Sequence, residues 1–154
     1  MLMKYSIDYL SKYSSSKANL EKILKNKIRK SSIEKKDKFI LYNSIQEIII
    51  KLEKNNFIND FNYASSKIKN FIFQGKSRIY IKSYLFQKGV ETEIISKVLH
   101  EFDNENSEWE IECAKILVRK KRLKFDKENK SKSLSKMARA GFNYEISRKI
   151  FEKI

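Results

Sequence analysis

The chain has no proline, three glycines, one cysteine and one histidine in 154 residues. Many-stranded all-β folds need Gly and Pro in their tight turns, so they are excluded. Collagen-like repeats and Pro-rich linkers are excluded too. A lone Cys113 can neither close an internal disulfide nor build a cysteine-rich zinc site. A cytoplasmic setting is the simplest reading of that cysteine usage. Long apolar runs are also missing. Runs such as Ile48-Ile49-Ile50 are far too short to cross a bilayer. Lys4 and Asp8 stand where a signal peptide would have its apolar stretch. Acidic charge is scarce beside basic charge, with 19 Asp+Glu against 34 Lys+Arg and a net charge of +15.

What is present is apolar enough to fold, at 41% hydrophobic and 12% aromatic residues. The expectation is a strongly basic helical protein with an anionic partner: nucleic acid, an acidic protein surface or a membrane face. The first 59 residues carry 13 basic and 6 acidic groups, net +7. Residues 60–106 carry 7 and 6, and residues 107–154 carry 14 and 7. A Lys- and Ile-rich, Gly- and Pro-poor chain is also what an AT-rich genome produces. Part of the excess then lies on solvated helix faces.

Apolar residues recur at helical spacing along almost the whole chain. Met3, Ile7 and Leu10 mark a first helix. Ser16 is a good N-cap for a second, striped by Leu20, Ile23, Leu24 and Ile28. After Ser31-Ser32, a third helix begins near Ile33 and carries Ile45, Ile48, Ile49 and Leu52 to the turn Asn55-Asn56. Asp60 is expected to cap a fourth, with Phe61, Ala64, Ile68, Phe71 and Ile72 on one face. Gly75 ends it. Ser77 caps a fifth helix through Ile81 and Leu85, stopped by Gly89. Glu91 begins a sixth through Ile94, Ile95, Val98, Leu99 and Phe102. The polar run 103–107 reads as a linker. Trp109, Cys113, Ile116 and Leu117 mark a seventh helix, followed by a polar segment from Lys124 to Ser131. Leu134, Met137 and Ala138 mark an eighth, closed by Gly141. Ile146, Ile150, Phe151 and Ile154 mark a ninth.

One internal repeat is visible. The stretch from Gly89 to Leu99 lines up with that from Gly141 to Phe151. Gly, Glu, Ile and Lys are identical at matching positions, namely Gly89/Gly141, Glu93/Glu145, Ile94/Ile146 and Lys97/Lys149. The reading is an all-α tandem array of three three-helix, helix-turn-helix-like modules at 1–58, 59–106 and 107–154. Units of this size bury only a marginal core alone, so contact with a neighbour adds stability.

Chemistry-bearing constellations are sparse. His100 lies beside the stripe of a short helix and reads as a surface or boundary histidine. Cys113 and Trp109 lie on an apolar face and read as core. The carboxylates are scattered beside lysines, as in helical ion pairs. Gly75-Lys76-Ser77 echoes the end of a phosphate-binding loop, but Asn70 stands where that loop needs Gly and a helix precedes it. Neither catalysis nor a cofactor is expected.

Basic clusters are the better lead. Arg119-Lys120-Lys121-Arg122-Leu123-Lys124 is the densest, beyond what a helix C-terminus requires. Lys67, Lys69, Lys76, Arg78 and Lys82 form a second set, and Lys25, Lys27, Arg29 and Lys30 a third. No helix offers the Arg/Asn/Gln set that reads bases in a major groove, so sequence-specific duplex recognition is not expected. Backbone contact to DNA or an acidic protein groove remains open.

The order of these elements resembles the RecX family, bacterial regulators of the RecA recombinase. The likeness runs from about Tyr9 to Ile154. It is carried by Tyr13-Ser14-Ser15-Ser16-Lys17-Ala18-Asn19-Leu20 and by the segment from Asn56 through Phe57-Ile58-Asn59-Asp60 to Tyr63-Ala64. It continues in Gly75-Lys76-Ser77-Arg78 with Ile81, Leu85 and Lys88-Gly89-Val90. In the last third it is carried by Arg119-Lys120-Lys121-Arg122-Leu123 and Ala138-Arg139-Ala140-Gly141-Phe142-Asn143-Tyr144-Glu145-Ile146. Many relatives have Gly-x-Gly-Pro at 75–78 and a basic residue in place of Phe71, and residues 35–42 form an insertion.

The resemblance implies three tandem three-helix modules in an elongated, curved array. It implies a non-enzymatic regulator that lodges in the groove of the RecA–DNA filament and blocks its extension or promotes its disassembly. Filament ATPase, strand exchange and the SOS damage response would be damped. The contact residues expected are Lys67, Lys69, Lys76, Arg78 and Lys82 in the central module. In the third they are Arg119, Lys120, Lys121, Arg122, Arg139, Arg148 and Lys149. The partners expected are the RecA filament and single- or double-stranded DNA, with no membrane. A monomer suffices, since its stripes already match. The alternatives are a DNA-binding helical module that acts without RecA and a helical adaptor for another acidic protein.

Overall fold

A computed structural model describes residues 1–153; Ile154, expected on the last helical stripe, lies outside them. The described residues form nine α-helices and no strand: α1 Leu2–Lys12, α2 Lys17–Lys30, α3 Lys35–Lys54, α4 Asp60–Gln74, α5 Arg78–Gln87, α6 Thr92–Glu105, α7 Trp109–Lys121, α8 Lys130–Arg139 and α9 Tyr144–Phe151. Side-chain caps fix four of the starts. Ser16, Asn59, Ser77 and Asn143 each accept a backbone N–H three residues on. Three turns are closed by Gly75, Gly89 and Gly141 in the left-handed region.

Two sequence expectations change. Asn59, not Asp60, caps α4; Asp60 is the first helical residue and is buried. The run 103–107 is not simply a linker, because Asp103, Asn104 and Glu105 are the last turn of α6. Polar composition misled there: Asp103 is half-buried and hydrogen-bonded.

The apolar residues separate into two cores. One gathers Leu2, Leu20, Leu24, Ile28, Ile45, Ile49, Leu52 and Ile58 from α1–α3 and the turn after them. The other is continuous from Tyr63 to Ile150, because α4 and α7 pack together and join the helices on either side. Helices α1–α3 pack mainly on one another and meet the rest of the chain at helix ends. The accessible surface is 10612 Å². A compact globule of 18.4 kDa exposes only about 8,200 Å². The excess fits an elongated arrangement of helices.

Two joints in the chain are built from the same parts. At the first, the Ser16 hydroxyl caps α2 and donates to the carbonyl of Lys88, which precedes Gly89. At the second, the Ser77 hydroxyl caps α5 and donates to the carbonyl of Ala140, which precedes Gly141 (2.7 Å). The next residue in each case is basic. The Lys17 backbone N–H donates to Asp60 at the start of α4 (2.8 Å), and its ammonium pairs with Glu53 at the end of α3 (2.8 Å). The Arg78 backbone N–H donates to Glu110 at the start of α7 (3.3 Å), and its guanidinium pairs with Asp103 at the end of α6. Each Ser-basic pair thus ties the start of its helix to residues far along the chain.

Candidate functional site

The second joint is the more elaborate. Arg78 forks onto both Asp103 oxygens and reaches Glu110 Oε2 (3.5 Å). Its guanidinium stacks 4.8 Å from the Trp109 ring, whose indole N–H donates to Asp103 (2.8 Å). Against the cost of burial, the hydrogen bonds from Arg78 and Trp109 hold the Asp103 carboxyl below the usual range. At the first joint burial wins: the Asp60 carboxyl is pushed up despite the Lys17 N–H. Arg78, expected as a contact residue, therefore has its charge matched inside the fold. Arg148 is matched as well, by Glu145 (3.0 Å) and Glu152 (3.5 Å).

The other basic residues differ. Among the described residues, no carboxylate lies within ion-pair distance of Lys67, Lys69, Lys76, Lys82, Arg119, Lys121, Arg122 or Arg139. Lys120 donates to the carbonyl of Gln74 at the end of α4 (3.0 Å). Gly75 also abuts Ile116 of α7. These contacts bring two separate sequence clusters to one corner, where the C-terminal ends of α4 and α7 face solvent together. Their carbonyl ends favour cations. Lys82 lies on α5, Arg139 ends α8, and Lys149 is exposed on α9. In the third cluster, Lys25 pairs with Glu21 (2.8 Å) and Lys27 lies over Tyr5 (4.9 Å).

The near-neutral charge of residues 60–106 hides a division. Residues 60–88, covering α4 and α5, carry six basic groups and one acidic group, the buried Asp60. Residues 89–106, with α6, carry one basic and five acidic groups. The α4–α5 surface is therefore basic, and it is also aromatic. Phe73 is 85% exposed, and Ile79, Tyr80 and Phe86 are exposed on α5. Helical spacing pointed only to the buried stripe of Ile81 and Leu85. The missed signal was that α5 is apolar on a second face as well. Phe86 and Lys82 also border a shallow cleft of about 430 Å³ floored by Ile95.

Other chemistry finds little footing. The Cys113 thiol donates to the Ile72 carbonyl (3.4 Å), and burial pushes it up to about 12, so it is not a thiolate at neutral pH. Among the described residues no group of three His, Cys, Asp or Glu could hold a metal ion, and no helix is long and apolar enough to cross a membrane.

No family model matches the chain. It is 28% identical over 155 residues to the "Regulatory protein RecX" of Myxococcus xanthus (strain DK1622), covering 96% of this chain and 82% of that protein. It is 32% identical over 109 residues to the protein of the same name from Lactococcus lactis subsp. cremoris (strain MG1363), covering 67% of this chain and 40% of that one. The chain thus spans less than half of the Lactococcus relative. Two solved structures share the fold. A crystal structure of RecX from Lactobacillus salivarius superposes with a TM-score of 0.71 at 24% identity, over 99% of this chain and 93% of that one. Another, titled "Crystal structure of regulatory protein RecX", gives 0.75 at 23% identity, over 98% and 70%.

Proposed function

The chain belongs to the RecX family, and on that premise we propose that it binds the RecA nucleoprotein filament and holds back its growth. The role is regulatory and non-enzymatic, exercised in the cytoplasm. It damps filament ATPase and strand exchange, and with them recombinational repair and the SOS response. Three modules, dividing near 58/59 and 106/107, would each add a weak contact along the filament, and the contacts would combine as avidity. The observation that carries this reading is the corner where α4 and α7 end. Unpaired cations from two triplets gather there beside exposed Phe73, with no convergent polar groups of a catalytic kind. An anionic groove with apolar pockets fits such a surface.

The test is ATP hydrolysis by RecA on single-stranded DNA as the protein is titrated in. The expected result is inhibition well below one molecule per RecA protomer, weakened by salt. Absence of inhibition at low and moderate salt overturns the reading.

A further inference from the structure

The face between α4 and α5 alternates cations with aromatic rings. Lys67 Nζ lies 5.8 Å from the Tyr63 ring and 5.9 Å from the Tyr84 ring. Lys88 Nζ lies 5.6 Å from the same Tyr84 ring, and Lys76 Nζ lies 4.7 Å from Tyr80. Tyr80 and Tyr84 are one turn apart on α5. Both meet Phe71 edge-to-face, at centroid distances of 5.4 and 4.8 Å, so the rings are held in place from below. The one carboxylate of residues 60–88, Asp60, is occupied at the first joint.

Among the described residues no carboxylate pairs with Lys67, Lys76 or Lys88. An exposed cation–π pair is worth about 0.5–1 kcal/mol, little enough for a phosphate to displace it. A ligand that brings phosphates and flat faces together uses both halves of the pattern. Single-stranded nucleic acid is such a ligand, whereas a duplex keeps its base faces stacked inside. Lys76 and Lys88 stand at the two ends of α5, whose ten residues rise about 15 Å. Lys120, bonded to the Gln74 carbonyl beside Gly75, carries the track on towards the exposed Arg119, Lys121 and Arg122.

We propose that the α4–α5 face is a track for single-stranded nucleic acid, with Lys67, Lys76 and Lys88 on phosphates and Tyr80 and Tyr84 under bases. The inference goes beyond the filament reading, since it concerns the strand alone. It is tested without RecA, so either can fail while the other stands.

The measurement is fluorescence anisotropy of a labelled oligothymidine, and of a duplex of equal length, titrated with the full chain over a range of salt. The single strand is expected to bind at least about tenfold more tightly than the duplex, as stacking adds to charge. Tyr80→Ala should weaken single-strand binding by about 5- to 100-fold, and Tyr80→Phe should retain it within about twofold. Lys67→Gln, Lys76→Gln and Lys88→Gln together should lower the salt slope by about 2, at roughly 0.7 per phosphate contact. Tyr80 is 41% exposed, so its loss leaves the core intact; an unchanged helical circular dichroism signal checks this. Equal or tighter duplex binding overturns the proposal. So does a Tyr80→Ala variant as tight as the wild type, which would reduce the face to plain charge. A failure to bind the strand even at low salt overturns it as well and leaves the face to an acidic protein.

Discussion

Gly89 and Ala18 touch across the first joint: a Cβ on Gly89 would lie 2.3 Å from the Cβ of Ala18. Gly89 also has φ +75, where an L side chain costs about 1–2 kcal/mol. Gly89→Ala therefore carries two penalties, one of backbone and one of space. Ala18→Gly removes only the second. In urea unfolding, Gly89→Ala should cost more than about 2 kcal/mol, and adding Ala18→Gly should recover part of the loss. If the two effects simply add, the close approach is not what makes glycine necessary there.

Ser77 does two jobs with one hydroxyl. It accepts from Tyr80 N (3.2 Å) and donates to Ala140 O (2.7 Å). An ordinary cap such as Asn59 serves only its own helix, through Asn62 N. Asn59→Ala should cost about 1 kcal/mol. Ser77→Ala should cost about 2–3 kcal/mol, because the half-buried Ala140 carbonyl also loses its partner. Thermal or urea unfolding of the two variants side by side checks the difference. Equal losses would mean the bond across the joint adds nothing.

The two joints respond oppositely to acid. The Asp103 carboxyl is held low once its bonds to Arg78 and Trp109 outweigh burial. Its stabilising effect is full above the ordinary carboxylate value of about 3.9 and is lost as pH falls through its lowered value. The Asp60 carboxyl is raised by burial. Its stabilising effect is present below the ordinary value and is lost as pH rises through its raised value. Asp103→Asn should therefore flatten the fall in Tm on acidification below about pH 4, and Asp60→Asn should steepen the fall just above about pH 4. Melting curves between neutral and acid pH read both slopes. Parallel curves for the two variants would contradict the assignment.

The helices were legible because their signals are local. Caps at Ser16 and Ser77, stops at Gly75, Gly89 and Gly141, and the stripe Leu20, Leu24, Ile28 lie within a few residues of the backbone they control. The joints were not legible, because each draws on residues distant in sequence. Asp103 looked like linker since only Arg78 and Trp109 explain its burial. Arg78 looked like a free cation for the same reason. The basic α4–α5 face was hidden by averaging its charge with that of α6. Tyr80 and Phe86 went unnoticed because a search for one buried stripe ignores the opposite side of the helix.

Arg122 sets charge against stability at the corner where α7 ends. Its φ is +51, and it closes the helix through Arg122 N to Arg119 O (3.2 Å) and Leu123 N to Val118 O (3.0 Å). Glycine is the usual residue in that conformation, and an L side chain there costs about 1 kcal/mol. The side chain is exposed, and among the described residues no ion pair offsets the strain. Arg122→Gly should therefore stabilise the chain by about 0.5–1 kcal/mol in urea unfolding. If the α7 corner meets the filament, the same variant should need more protein to inhibit the RecA ATPase. A gain in stability with unchanged inhibition would take Arg122 out of the contact surface and leave its neighbours Arg119 and Lys121 to carry it. A loss of stability would show that the Arg122 side chain makes a contact that outweighs its backbone strain.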